Sequence, residues 1–216
     1  MQDPMAFAKQ IAYSSEQTLS FSYAMGAKYK NSDGVYVECG VAAGAQVIAM
    51  AAGGPDKIIY AFDSFEGLPY PSNRDDQMPG IRTLKQWEID ALPEPGKHRL
   101  ESTGATVVTV AQFMENLQIV GIQESNVVIV PGWFEHTVPF YADGLPEIAI
   151  LRLDGDLYNS TWVCLMHLFP KVLHGGCVII DDWTLVGCQD ACKEYFALIG
   201  YEPDYKFIST IAYFFK

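Results

Sequence analysis

Residues 147–156 read EIAILRLDGD, and residues 175–183 read GGCVIIDDW. Each is an apolar, β-rich run that ends in acids. Neither alternates polar with apolar residues, so neither has a solvated face. Such runs mark strands buried on both sides, as in a parallel sheet. The question they raise is why Asp154, Asp156, Asp181 and Asp182 gather at the mouths of two hydrophobic segments.

Working outward, the same grammar recurs. VYVECGV (35–41), DKIIYAFDSF (56–65) and NVVIVPGWF (126–134) read as three earlier strands. Helical patterns lie between or around them: one or two helices within 5–29, then AGAQVIAMAAGG, 108–122, 161–173 and 187–201. DYKFISTIAYFFK closes the chain as one or two strands, read as a hairpin. Strands alternating with helices imply a mostly parallel sheet with helices on both faces. Residues 66–105 break the pattern with a long irregular stretch, which reads as an insertion or lid and has room for a short helix around Leu84 to Leu92. The α/β pattern resumes after it, so 1–216 is expected to be one domain, with N-terminal helices within 1–34.

Composition bounds the partners. The 216 residues are 50% hydrophobic, ample for a core, and carry a formal net charge of −12. That surface repels phosphates and anionic lipid, so neither nucleic acid nor a membrane is expected as a partner. The five cysteines form no C-x-x-C and read as buried thiols; Cys188 and Cys192 share a helix face but have no histidine pair for zinc. No signal peptide is visible, and no run approaches the ~18 apolar residues a bilayer needs. A cytoplasmic setting is expected.

In an open parallel sheet the ligand sits beyond the carboxyl ends of the strands. Asp63, Asp154, Asp156, Asp181 and Asp182 all fall there. Glu38-Cys39-Gly40-Val41-Ala42-Ala43-Gly44 spells E-x-G-x-x-x-G at a strand–helix junction. Small residues let a ligand approach the backbone, and the helix offers free N–H groups. The third glycine of a dinucleotide loop is missing. Asp63 at the next strand end can accept ribose hydroxyls, which favours an adenosine-type ligand without a pyrophosphate, such as S-adenosylmethionine. The glycines could equally serve tight packing. Asp154, Asp181 and Asp182 supply hard oxygens suited to Mg²⁺. The plainer alternative has Asp156 and Asp182 capping a helix or turn, with only Asp154 and Asp181 pointing inward.

With VECGVAAGA, AFDSFEGLP, VPGWFEHTVP, LRLDGDLYNST and GGCVIIDDW in this order, the chain resembles the macrocin-type O-methyltransferases, Mg²⁺-dependent enzymes that use S-adenosylmethionine. The resemblance implies a Rossmann-like class I methyltransferase fold: a mainly parallel seven-stranded sheet with an antiparallel C-terminal strand. It implies metal ligation by Asp154, Asp181 and Asp182, and Asp156 as the base. It puts Glu38, Gly40 and Gly44 at the methionine end of the cofactor, Asp63 and Ser64 at the ribose, and Gly132 and Trp133 near the adenine. Related enzymes acting on catechols carry a lysine where this chain has Leu157, which leaves Asp156 as the candidate. His136 is either a second base or substrate contact, or an exposed loop histidine. The implied acceptor is a small-molecule hydroxyl, on a sugar or polyol, and the implied assembly is a homo-oligomer. A catechol or phenol acceptor is the alternative; a nicotinamide-dependent oxidoreductase and a non-catalytic scaffold are more distant ones. Acceptor choice is expected to lie in 66–105 and the Phe- and Tyr-rich N-terminal helices.

Overall fold

The computed structural model describes residues 1–75 and 100–216. The helix expected around Leu84 to Leu92, and residues 76–99 of the expected insertion, lie outside the described residues.

Two helices open the chain. Helix α1 (Pro4–Ile11) begins on Asp3, whose carboxylate accepts the Ala6 N–H at 2.7 Å, with proline in the first turn where its missing N–H costs nothing. Helix α2 (Glu16–Tyr29) begins on Ser15, which accepts the Thr18 N–H. Strand β1 (Val35–Cys39) follows, then α3 (Ala45–Gly53) and β2 (Ile59–Asp63). A Cβ on Gly26 would lie 2.2 Å from the Met50 carbonyl oxygen, and one on Gly53 equally near that of Tyr23. The backbones of α2 and α3 therefore touch directly.

After the irregular stretch come α4 (Val110–Ile119), β3 (Val127–Pro131) and α5 (Phe134–Ala142). Strand β4 (Ile148–Leu153), α6 (Tyr158–Leu168), β5 (Val172–Ile180) and α7 (Val186–Leu198) complete the α/β alternation. Strands β6 (Lys206–Ile208) and β7 (Ile211–Phe215) form the expected terminal hairpin. The sheet order is β3-β2-β1-β4-β5-β7-β6; the first five strands are parallel and β7 runs antiparallel to β5.

One element departs from expectation. The GWFEHT segment expected as a loop leads into α5, which carries Pro139 inside it. Proline in a helix interior removes a hydrogen bond, which is why the segment does not read as helical.

Alternate strand residues point to opposite faces, and two cores result. Tyr36, Ile59, Ala61, Ile150 and Ile179 pack under α1 to α4. Val35, Val37, Phe62, Leu151, Val178 and Ile180 pack against α5 to α7. Among the described residues no helix is long and apolar enough to cross a membrane.

The register positions the site. Phe62, Cys39, Leu153 and Ile180 are aligned across β2, β1, β4 and β5. The ladder continues one residue further: Gly40 N–H donates to Phe62, Asp154 N–H to Cys39 and Asp181 N–H to Leu153, each at 2.8 Å. Asp63, Gly40, Asp154 and Asp181 thus stand in one row at the sheet's carboxyl edge.

Candidate active site

Over that row lies a cavity of about 300 Å³, lined by Glu38, Asp63, Asp154, Asp156, Asp181 and Asp182 among others. Asp154, Asp181 and Asp182 each bring an oxygen within 4.8 Å of the others. Two adjacent parallel strands supply all three, because Asp154 follows β4 and Asp181 and Asp182 follow β5. Hard oxygens this close suit a divalent cation, which would offset their mutual repulsion.

Asp182 also serves a second purpose. Its Oδ2 accepts the Asp156 N–H at 2.8 Å. Asp156 has φ 59°, the left-handed region that aspartate tolerates better than most residues. This bond holds the strained turn and fixes where Asp156 stands. The capping alternative and the ligand reading of Asp182 are therefore compatible: one oxygen caps and the other remains.

Burial, reinforced by Asp154 and Asp181, pushes the Asp156 carboxyl up to about 7. Burial first, and then Asp181 and Asp182, raise Asp154 well above the usual carboxylate range. Burial and the neighbouring Asp156 and Asp181 do the same to Asp182.

A cation missed in the sequence underlies the cluster. Arg152 of β4 is fully buried. Its Nη2 bonds to Asp181 and lies 3.2 Å from Asp154, and its Nε lies 3.3 Å from Glu38. These carboxylates raise its pKa against the opposing effect of burial. The signal was present as a lone arginine inside the apolar run AILRL.

At the other end, Asp63 does something different from what was expected. Its Oδ2 accepts the Val41 and Ala42 N–H groups at 2.9 Å, and its Oδ1 accepts that of Phe65 at 2.7 Å. A carboxylate has about four acceptor positions. Two of the three filled positions tie down the glycine loop and the third closes the turn after β2, so Asp63 shapes that loop and keeps little capacity for two ribose hydroxyls. Ser64 lines the cavity, but its hydroxyl donates to Gly67 and accepts from Glu66.

Gly40 lines the cavity with φ +93°, and a Cβ there would sit 1.8 Å from the Asp154 carbonyl oxygen. Only glycine permits this approach. Gly44 instead faces the Phe113 ring, so its role is the packing one. Trp133 lines the cavity. Gly44, Gly132 and His136 are not part of its wall, and His136 is exposed on the first turn of α5. Residues not anticipated individually, Ile11, Tyr13 and Ser14 before α2 and Leu68 and Pro69 after β2, complete the wall.

The macrocin-O-methyltransferase (TylF) family profile matches residues 25–216. Among relatives, a Streptomyces olivaceus 8-demethyl-8-(2,3-dimethoxy-α-L-rhamnosyl)-tetracenomycin-C 4'-O-methyltransferase is 34% identical over 173 residues. The Streptomyces niveus demethyldecarbamoylnovobiocin O-methyltransferase is 36% identical over 171 residues. Each alignment covers 76% of this chain and 59% of the relative, so the chain spans well under two thirds of their length. The solved O-methyltransferase NovP superposes with a TM-score of 0.75 at 28% identity, covering 93% of this chain and 80% of that one.

Proposed function

The chain belongs to the macrocin O-methyltransferase family, and from that premise we propose that it moves a methyl group from S-adenosylmethionine to a hydroxyl of a sugar on a small glycosylated molecule, with Mg²⁺ as its metal. The observation that carries this reading is the meeting, in one cavity, of the Asp154, Asp181 and Asp182 cluster with Asp156 and with the Glu38–Gly40 strand end. The sugar acceptor is supported by a relative named for O-methylation of a rhamnosyl tetracenomycin.

In this reading Asp154, Asp181 and Asp182 would hold the cation, and Glu38, Gly40 and Trp133 would border the cofactor. When bound, S-adenosylmethionine supplies the methyl group and Mg²⁺ stabilises negative charge on the acceptor oxygen. Asp156 takes the proton from the acceptor hydroxyl as the new C–O bond forms and the C–S bond breaks. Asp156 lines the cavity beside the cluster, where its carboxylate can reach a hydroxyl held there. Asp182 aims Asp156 through its N–H, and Arg152 keeps Asp154 and Asp181 turned toward one another. His136, exposed and outside the cavity wall, has no part in this scheme.

Calorimetric titration with S-adenosylhomocysteine, with and without Mg²⁺, tests the reading. Micromolar binding, with a separate Mg²⁺ heat that Asp154→Asn abolishes, supports it. Well-folded protein that binds neither would sink it. A panel of glycosides and catechols with labelled S-adenosylmethionine then separates sugar from phenol acceptors.

A further inference from the structure

Past β2, residues 72–75 of the irregular stretch fasten onto the two helices that follow the aspartate-bearing strands. Asp75 makes the inner contact. Its Oδ1 accepts the Tyr158 N–H at 2.7 Å, and its Oδ2 accepts the Ser72 N–H and hydroxyl at 2.8 and 2.7 Å. Tyr158 opens α6, and the residue before it, Leu157, gives that helix no side-chain cap. Asp75 satisfies one of its free N–H groups from 83 residues away in sequence. Arg74 makes the outer contact. Its guanidinium lies 4.1 Å from the centre of the Tyr158 ring and pairs with Glu194 of α7, which also accepts the Tyr158 hydroxyl at 2.7 Å.

Tyr158 stands two residues beyond Asp156. Asp156 keeps its left-handed φ of 59° only where the chain on both sides is held. Asp182 holds the near side through the Asp156 N–H. Asp75 holds the far side through the Tyr158 N–H. The first turn of α7 backs this second anchor: a Cβ on Gly187 would lie 2.2 Å from Asp75 Oδ1 and 3.3 Å from the Arg74 carbonyl oxygen. The carboxylate is therefore wedged between α6 and α7, and glycine at 187 makes the room. A helix ordinarily favours alanine over glycine, so Gly187 serves this approach and not α7 itself. Asp75, Tyr158 and Gly187 do not line the cavity, so their influence on chemistry there runs through Asp156.

We propose that Asp75 is a positioning residue that aims the Asp156 carboxylate at the acceptor hydroxyl. This rests on the methyltransferase reading above, but its first test does not. In the ligand-free protein, amide hydrogen exchange read by NMR should show the Asp156 and Tyr158 N–H groups both exchanging about tenfold faster in Asp75→Ala, with β1 and β4 still protected. Asp75→Asn, which keeps an oxygen for the Tyr158 N–H, should stay within about threefold of the unaltered protein. Faster exchange at Tyr158 alone, or an equal rise along the whole chain, overturns the proposal. The second test uses labelled S-adenosylmethionine and the glycoside that the acceptor panel selects. Asp75→Ala should lower kcat about 10- to 100-fold, with S-adenosylhomocysteine affinity and Mn²⁺ binding unchanged, and Asp75→Asn should recover most of the loss. Gly187→Ala, which pushes the same carboxylate aside, should lower kcat in the same direction. Arg74→Ala, which leaves the Asp75 bond in place, should keep kcat within about threefold. Added to Asp156→Asn, Asp75→Ala should lower kcat no further. A multiplied loss in that double variant overturns the proposal, because Asp75 would then act by another route. If the unaltered protein transfers no methyl group yet shows the exchange effect at Asp156, the methyltransferase reading fails and Asp75 is an anchor of the turn alone.

Discussion

Arg152 stands directly beside Glu38 across the β1–β4 pairing, with Nε 3.3 Å from Oε1, and the two side chains are 0% and 1% exposed. On the other side the same guanidinium reaches Asp154 and Asp181. One buried cation therefore joins the β1 end of the cavity to its aspartate cluster.

Removing that cation leaves buried carboxylates without their counter-charge. Arg152→Met should lower unfolding stability by about 3–5 kcal/mol, the cost of breaking a buried pair from one side. Urea denaturation measures it. Adding Glu38→Gln should restore part of the loss, and a double-mutant cycle reads the coupling. Strictly additive losses would mean the 3.3 Å contact contributes nothing specific.

Stability should depend on pH through Glu38. Burial raises its carboxyl from an ordinary 4.5 to about 8, against the opposing pull of Arg152. The folded state thus holds this proton more tightly than the unfolded state does. Its contribution is fully present below 4.5 and is lost as pH rises toward about 8. Chemical denaturation of the ligand-free protein should show stability falling across that window, and Glu38→Gln should flatten the fall. A steeper slope in the variant would contradict the assignment.

Asp156 and Asp182 should separate kinetically. Asp156→Asn removes the proposed base and should lower kcat by about 10² to 10⁴, with S-adenosylhomocysteine affinity unchanged. Asp182→Ala removes a cluster oxygen and the acceptor for the Asp156 N–H together, so it should lose Mn²⁺ binding, read by electron paramagnetic resonance, as well as turnover. Retention of full activity by Asp156→Asn would assign the base elsewhere.

Gly40 and Gly44 both have positive φ but should respond differently to alanine. At Gly40 the added Cβ meets the Asp154 backbone oxygen at 1.8 Å; at Gly44 it meets the edge of the Phe113 ring at 2.8 Å. Backbone cannot yield as a ring can. Gly40→Ala should cost more than about 3 kcal/mol and disrupt cofactor binding. Gly44→Ala should cost about 1–2 kcal/mol and leave ligand affinity intact. Thermal melts with and without S-adenosylhomocysteine distinguish the two.

The strands carrying the acids were legible because runs buried on both faces leave little ambiguity. The acids that end them stand in one row because a parallel register aligns strand ends. Other features were hidden for physical reasons. Pro139 masks α5, since a proline-bearing segment reads as a break. Arg152 looks like a blemish in an apolar strand until Glu38, Asp154 and Asp181 come together in space. The hydrogen bonds of Asp63 to the glycine loop depend on loop geometry that residue types do not encode. The Tyr13 wall depends on how α1 and α2 turn back over the sheet edge, which no periodicity reports.

The Arg152 junction also bears on how the chain folds. Glu38 and Arg152 lie more than a hundred residues apart in sequence, and Asp181 lies further on. A ribosome releases β1 long before β4, and β5 later still. Pairing β4 with β1 brings the guanidinium to Glu38 and Asp154 but leaves its bond to Asp181 unmade until β5 docks. Docking of β5 is therefore favoured by a charged contact that the paired β1 and β4 hold ready. The arrangement that prepares the cavity for chemistry also favours completion of the sheet.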